Sequence, residues 1–483
     1  MIHFGTSGWR AVMADEFTFE NVRRVVRAIA AHVKGHAERD RPVVVGYDAR
    51  FLSPEFAKLA AELLARNGLR VLLSKDFVPT PAVSFQILHQ KAAGGINFTA
   101  SHNPPEYNGI KFNMANGAPA SPEVTKEIER LCNADDDGAE AQNRGTGEAA
   151  QRQEESPTSR FPAAPIRTFD PRPAYLARLR RTIDVSALKK ARLRVGADVL
   201  YGAGRGYLDT FLKEAGCRTT VLHDWRDVIF GGHAPEPAAE QLAELVRVMR
   251  KEKLIAGFGT DGDADRFGVV DQDGGLLSPN DILPVVLQHL VQTRGWKGFV
   301  VRSVMTSHFI DAVARHYGLE VKETPVGFKY IAEAMTDRDF VMGGEESGGL
   351  TIRGHVPEKD GILACLLMAE VRAVEKKSFR RILKDLRRRV GGHYLSGRIN
   401  LHLSAPAMQN VRRRMETFTP HTIDGLTVKK IVRLDGFKFV FQNDSWLGVR
   451  LSGTEPVVRL YVEADTASQL KELEKIGTKL IQS

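Results

Sequence analysis

Residues 97–104 read Asn97-Phe98-Thr99-Ala100-Ser101-His102-Asn103-Pro104 and set a serine in a tight polar loop after a strand-like apolar segment. Ser101 has few apolar neighbours to pack against, which suits a nucleophile or a carrier of a phosphoryl group. The alternative is a plain turn, with Ser101 and Asn103 hydrogen-bonding the local backbone. A hydrolytic serine needs a positioned base. His102 is adjacent in sequence and so poorly placed to face Ser101 productively, and no G-x-S-x-G elbow surrounds it.

Three further loops carry chemistry. Asp261-Gly262-Asp263-Ala264-Asp265-Arg266 places carboxylates at alternate positions, able to converge on one hard cation. Arg266 and Gln272 stand where an EF-hand requires Gly and Glu, so that loop is excluded. Three carboxylates with few other ligands suit Mg²⁺, with Arg266 beside it for a phosphate oxygen; a solvated acidic turn is the other reading. Gly344-Glu345-Glu346-Ser347-Gly348-Gly349 offers carboxylates and a hydroxyl to a polyol, or is a charged turn. Arg450-Leu451-Ser452-Gly453-Thr454-Glu455-Pro456, with Arg459 beyond it, combines guanidinium groups, two hydroxyls and a glycine-opened backbone. That set makes a phosphate cradle rather than a Walker loop, or else an ordinary turn. Chemistry that uses all four loops is phosphoryl transfer on a phosphosugar, with the serine as carrier and a metal neutralising charge.

The elements that must position these loops alternate between short β-branched runs and amphipathic helical stretches. Val43-Val44-Val45-Gly46-Tyr47 reads as a buried strand, and Ser53-Pro54-Glu55 as the cap and first turn of a helix reaching about Asn67. Gly95-Ile96-Asn97-Phe98 is a strand that ends just before Ser101. Ser121-Pro122-Glu123 opens a helix ending near Cys132. From Asn133 to about Thr168 the composition is too polar to bury much surface. The chain then divides into an α/β domain over 1–133, a flexible linker or insertion over 134–168, α/β domains over 169–279 and 280–394, and a smaller α+β domain over 395–483. The polar loops fall at the carboxyl ends of strands, where open sheets bind ligands.

The chain has 483 residues and a formal net charge of +9, which suits an anionic partner. The run Lys384-Asp385-Leu386-Arg387-Arg388-Arg389 lies in a helical pattern without interleaved aromatics, so it reads as a solvated helix face rather than a nucleic-acid patch. Cys132, Cys217 and Cys365 fit no metal or redox spacing. With no signal-peptide core and no membrane-length apolar run, the expectation is a cytoplasmic protein.

In these four loops the chain resembles the α-D-phosphohexomutase family, which includes phosphoglucomutases and phosphomannomutases. Phe4-Gly5-Thr6-Ser7-Gly8-Trp9-Arg10, Asn108-Gly109-Ile110-Lys111-Phe112 and Thr324-Pro325-Val326-Gly327-Phe328 also look like family motifs. The resemblance implies three similar α/β domains with mixed sheets and a smaller C-terminal α+β domain around a central cleft. It implies a phosphoserine at Ser101, and Mg²⁺ held by Asp261, Asp263, Asp265 and an oxygen carried by Ser101. Arg10, His102 and Lys111 would lie near that phosphoryl group. Glu345 and Ser347, with Gly327, would meet the sugar, and Arg450, Ser452, Gly453, Thr454 and Arg459 the non-reacting phosphate.

The implied reaction interconverts hexose 1-phosphate and hexose 6-phosphate, with a hexose 1,6-bisphosphate as activator and intermediate. Many bacterial relatives read G-E-x-S-G-H, where this chain has Gly349. The continuation His355-Val356-Pro357-Glu358-Lys359-Asp360-Gly361 looks like the phosphoglucomutase arrangement. Lys359 is therefore the expected general acid/base, supported by His355; the alternative is a lysine that binds phosphate as a point charge. Glucose is the expected hexose, with mannose second. Preference for mannose or glucosamine, and a phosphosugar phosphatase, are the alternatives. The expected partner is a phosphosugar, with no nucleic acid and no membrane, for a monomer or homodimer.

Overall fold

The computed structural model of the chain describes residues 1–5, 7–142, 163–452 and 456–482, with the backbone alone over 135–142. Packing divides it into two units, Met1–Leu276 with Gly354–Val374, and Leu277–Arg353 with Glu375–Ser483.

In the first unit, β1 (Trp9–Val12), β2 (Val43–Tyr47), β3 (Val71–Ser74), β4 (Gly94–Phe98), β5 (Tyr107–Met114) and β6 (Ile166–Phe169) form one sheet, ordered β1-β5-β4-β2-β3-β6. Only β5 runs against the others. The central strands β2 and β4 are buried on both faces, which explains the unbroken apolar run of β2; in β4 the buried Asn97 interrupts it. On one face Val43, Val45, Ile96 and Phe98 pack with helices Phe19–Lys34 and Ser53–Arg66. On the other, Gly46 and Gly95 admit Val83 and Ile87 of helix Thr80–His89 at distances no larger side chain would allow. Each such Val or Ile contributes about 1.5–3 kcal/mol by leaving water.

The same unit holds β7 (Arg194–Asp198), β8 (Arg218–Leu222), β9 (Ala256–Thr260), β10 (Phe267–Asp271) and β11 (Leu276–Leu277), ordered β11-β10-β9-β7-β8. Strand β7 is parallel to β8 and β9, and β10 turns back antiparallel on β9. The helix Gly361–Glu375 is apolar and buried all round, as a helix inside a core must be, and its Cys365 Sγ reaches Gly259 O of β9.

In the second unit, β12 (Phe299–Ser303), β13 (Glu320–Thr324), β14 (Phe340–Glu345) and β15 (Gly349–Ile352) form a mixed sheet, ordered β13-β12-β14-β15. The last sheet contains β16 (Leu395–His402), β17 (Thr422–Ile423), β18 (Leu426–Val432), β19 (Phe437–Phe441), β20 (Trp446–Leu451) and β21 (Val457–Ala464), ordered β16-β21-β20-β19-β18-β17 and antiparallel throughout. Met415, Leu473 and Ile476 from helices Ala405–Thr417 and Ala467–Gln482 pack with Val449, Leu460 and Val462. On the sheet's other face Trp446 and Tyr461 pack with Val304 and Met305. Among the described residues no helix is long and apolar enough to cross a membrane.

Two local expectations differ from the structure. The expected linker over 134–168 begins inside a helix spanning Pro122–Gln142 and ends in β6, parallel to β3; residues 143–162 lie outside the described residues. Ser53 is not a cap. Leu52 holds that place with φ +58, and the Ser53 hydroxyl donates to Asp48 Oδ1 at 3.0 Å.

Buried charge on the last sheet makes the second unit pH-sensitive. Lys438 Nζ donates to Val304 O at 2.7 Å and lies 2.9 Å from His308 Nε2 and 3.8 Å from Glu323 Oε1. Burial, then Arg302, brings the Lys438 amine down to about 7 against the pull of Glu323, Glu463 and Asp311. Burial, then Lys438 and Arg302, holds His308 well below the usual histidine value. Between pH 7 and about 10 the unfolded chain therefore binds more protons at Lys438, and stability rises with pH. His308 adds a further loss as pH falls below about 6.5. Lys438→Met should flatten the gain in melting temperature between pH 7 and 9 by at least about 2 °C. Parallel curves for the two proteins would contradict this.

Candidate active site

Ser101 follows β4 and is buried, with φ +54. A left-handed non-glycine residue costs about 1–2 kcal/mol, so the surroundings must hold it. They do so through Arg50, a fully buried guanidinium that donates to Ser101 O at 2.8 Å, Asn103 O at 2.6 Å, Pro104 O at 2.7 Å and Tyr107 O at 3.0 Å. Arg50 also pairs with buried Asp48 at 3.2 Å. Asp48 and Arg50 stand just past β2, the parallel neighbour of β4, and Asp48 N donates to Phe98 O. Asn103, read from sequence as a turn residue, accepts from Arg10 Nη1 at 2.8 Å.

The Ser101 hydroxyl donates to Asp261 Oδ2 at 2.7 Å. Asp261, Asp263 and Asp265 lie in the tight connection from β9 to β10, fully buried, with Ala264 at φ +55. Gly262 approaches Ser101 so closely that a Cβ would lie 2.5 Å from Ser101 O. Gly361, which opens the buried helix, touches the loop's other side; a Cβ there would lie 2.1 Å from Arg266 O. Lys111 on β5 reaches Asp263 Oδ2 at 2.5 Å and Asp265 Oδ2 at 2.7 Å. Thr80 also donates to Asp263 Oδ2 and accepts from Asn97 Nδ2 at 2.9 Å.

These contacts leave Oδ1 of both Asp263 and Asp265 buried without a hydrogen-bond partner. The three carboxylates each offer an oxygen within 4.8 Å of the others. Such a hard-oxygen set fits a small divalent cation. Burial, then the neighbouring carboxylates, pushes Asp261 well above the usual carboxylate range. Burial would also raise Asp265, but Lys111, Lys359 and Arg266 outweigh it and hold that carboxyl well below its usual value.

The structure brings Lys359 to the same loop, with Nζ 2.9 Å from Asp265 Oδ2. His355 engages Asp360. Its Nε2 lies 2.6 Å from Asp360 Oδ2, which Tyr175 also engages, while its Nδ1 has no partner. Glu358, unnoticed in the sequence, is buried and accepts from Asn113 Nδ2 at 2.9 Å; burial raises its carboxyl against Lys359 and Lys111. His102 is half-buried and its Nδ1 has no hydrogen-bond partner. Burial, then Arg266 and Arg10, holds it well below the usual histidine value. Arg266, expected on a phosphate, lies 3.4 Å from Glu236.

In the second unit Glu345 ends β14, buried, and its Oε1 accepts from Gly327 N at 2.8 Å. Ser347 lies half-buried in the turn to β15. Glu346 accepts from Ser303 Oγ at 2.7 Å. Arg450 on β20 stands directly opposite Arg459 on β21. Arg450 Nε also pairs with Asp435 Oδ2 at 3.0 Å. Ser452 is buried beside the two arginines, with its N–H on Val457 O at 2.9 Å. Gly453 and Thr454 lie outside the described residues, as does Thr6 of the opening motif.

Sequence models of phosphoglucomutase/phosphomannomutase match α/β/α domain I at 1–139, domain II at 173–275, domain III at 278–390 and the C-terminal domain at 400–476. The chain belongs to the phosphoglucomutase/phosphomannomutase family. It is 30% identical over 480 residues to a phosphoglucomutase/phosphomannomutase of Thermococcus kodakarensis, covering 99% of this chain and 98% of the relative. It is also 30% identical over 480 residues to a protein of Methanosphaera stadtmanae provisionally named phosphoglucosamine mutase, with the same coverage. A crystal structure from Thermus thermophilus, provisionally named phosphomannomutase, superposes with a TM-score of 0.84 at 33% identity, covering 100% of this chain and 99% of that one. The protein is a phosphohexomutase, an isomerase of carbohydrate metabolism. Sequence reading missed Asp48, Arg50, Thr80 and Glu358 of this phosphohexomutase. For Asp48 and Arg50 a signal was present: two charged residues directly after a wholly apolar parallel strand.

Proposed function

We propose that the chain interconverts glucose 1-phosphate and glucose 6-phosphate, with mannose phosphates as secondary substrates, by carrying a phosphoryl group on Ser101. The observation that carries this reading is the Ser101 hydroxyl, 2.7 Å from Asp261 in a buried loop flanked by Lys111 and Lys359. Asp261, Asp263, Asp265 and an oxygen on Ser101 would hold Mg²⁺, which when bound neutralises charge on the transferring phosphoryl group.

A sugar hydroxyl attacks phosphorus on Ser101; the new P–O bond forms as the P–Oγ bond breaks. One proton leaves the attacking hydroxyl and one arrives at Ser101, so the transfer is proton-neutral. Lys359 is the proposed acceptor of the first. Asp360 positions His355, and Arg10, through Asn103, steadies the serine loop beside His102. Glu345 and Ser347, with the Gly327 turn, bind sugar hydroxyls. Arg450, Ser452 and Arg459 bind the phosphate that does not react; Arg266 meets a phosphate oxygen. The hexose 1,6-bisphosphate formed then turns end for end, and its other phosphate returns to Ser101.

Gly349 and the spacing from His355 to Lys359 support glucose. Assays with the 1-phosphates of glucose, mannose and glucosamine, alongside intact-mass measurement, test the reading. Fastest turnover of glucose 1-phosphate and one added phosphoryl mass are expected. Chelation should abolish turnover and Mg²⁺ restore it. Exclusive turnover of mannose or glucosamine 1-phosphate would overturn the preference; full activity after chelation would overturn the metal.

A further inference from the structure

We propose that Asp435 is a positioning residue that couples recognition of the substrate's phosphate to recognition of its sugar. The inference rests on the assignment of Arg450 and Glu345 to substrate made above.

Asp435 lies in the turn between β18 and β19. Its Oδ2 accepts from two donors at once, Arg450 Nε at 3.0 Å and Val326 N at 3.0 Å. Val326 precedes Gly327, whose N–H donates to Glu345 Oε1 at 2.8 Å. A continuous path therefore runs from the cradle arginine through one carboxylate oxygen to the sugar-facing glutamate. The turn is shaped for this contact. Gly436 has φ +82, and a Cβ there would lie 2.5 Å from Val449 O and 3.2 Å from Arg450 Cα, so glycine lets the turn rest on β20.

The physical consequence follows from what each group needs. A guanidinium reads phosphate through a planar fork, and holding Nε fixes the plane of that fork. The same oxygen fixes the backbone turn that orients Glu345. An anion that draws Arg450 forward thus also acts on Val326 and Gly327, and by linkage a sugar on Glu345 acts back on the cradle. The enzyme must hold its substrate by either phosphate. Coupling through Asp435 would set the sugar contacts only when a phosphate occupies the cradle, whichever end of the hexose supplies it.

The test is calorimetric binding of two probes, glucose 1-phosphate and inorganic phosphate, to the full chain carrying Ser101→Ala, with and without Asp435→Ala. Inorganic phosphate engages phosphate-binding groups alone, and the part of its binding that Arg450→Ala removes reports the cradle, whereas glucose 1-phosphate engages the sugar loop as well. Asp435→Ala should weaken glucose 1-phosphate at least about fivefold more than it weakens inorganic phosphate. Asp435→Asn, which keeps an acceptor oxygen, should fall between. Equal weakening of both probes would mean that the cradle had merely loosened and would overturn the coupling, as would no change in either. Arg450→Ala separates the two levels: it should weaken both probes. If it changes neither, the assignment of the phosphate site falls, and the coupling with it.

Discussion

Replacing Ser101 by alanine is expected to lower mutase turnover by at least about 10⁴-fold while leaving phosphosugar binding largely intact. The loss is large because the carrier atom itself is removed. Alanine leaves no oxygen at the place where Asp261 Oδ2 now accepts from the Ser101 hydroxyl. Binding survives because most groups assigned to sugar and phosphate, Glu345, Ser347, Arg450, Ser452 and Arg459, lie in the second unit. The checks are a coupled assay in both directions, binding of glucose 1-phosphate by calorimetry, and intact mass, which should lose its phosphoryl increment. Turnover near that of the unsubstituted enzyme would rule out phosphoserine as the carrier.

The second large effect is on stability. Arg50→Met removes a guanidinium that bonds four backbone carbonyls of residues 101–107 and pairs with Asp48. Methionine leaves those carbonyls and a buried carboxylate without their partner, which costs about 3–5 kcal/mol. Burial already raises the Asp48 carboxyl, and in the variant nothing of comparable strength opposes it. The Ser101 backbone, left-handed at φ +54, also loses the contact that holds it, so turnover should fall further than the folded fraction explains. Arg50→Lys keeps the charge beside Asp48 but not the planar fork, and should recover stability better than turnover. Urea unfolding and kcat on the folded fraction check both halves. A stable Arg50→Met chain with normal kcat would show that the serine loop holds its shape unaided.

The resemblance to phosphohexomutases was legible because each motif is contiguous. Thr99 to Pro104, Asp261 to Arg266, Gly344 to Gly348 and Arg450 to Pro456 each fit one turn at a strand end, so their spacing is itself the signal. The run of β-branched strands and amphipathic helices was legible for a similar reason, since burial on one face or two leaves a period in the sequence.

Partners across long separations were not legible. Lys111 meets Asp263 across 152 positions, and Lys359 meets Asp265, because β5 is registered against β4 with Lys111 opposite Asn97 and because Gly361 lets its helix abut the loop of Asp261 to Arg266. The contact of His355 with Asp360 was not legible either, although the two are five residues apart. The helix Pro122–Gln142 runs past its expected end through Asp135-Asp136-Asp137-Gly138, residues of low helix propensity, so no local signal marked the extension.

The sequence by itself determined which loops carry chemistry, the family they belong to and the strand ends that present them. Only the tertiary structure decided which charges neutralise one another, which oxygens of Asp263 and Asp265 stay unpartnered, and that Arg50 and Asp435 brace the loops. The reason is physical. A turn is specified by neighbours in the chain, whereas an ion pair in a core is specified by sheet register and close packing, which no local spacing records.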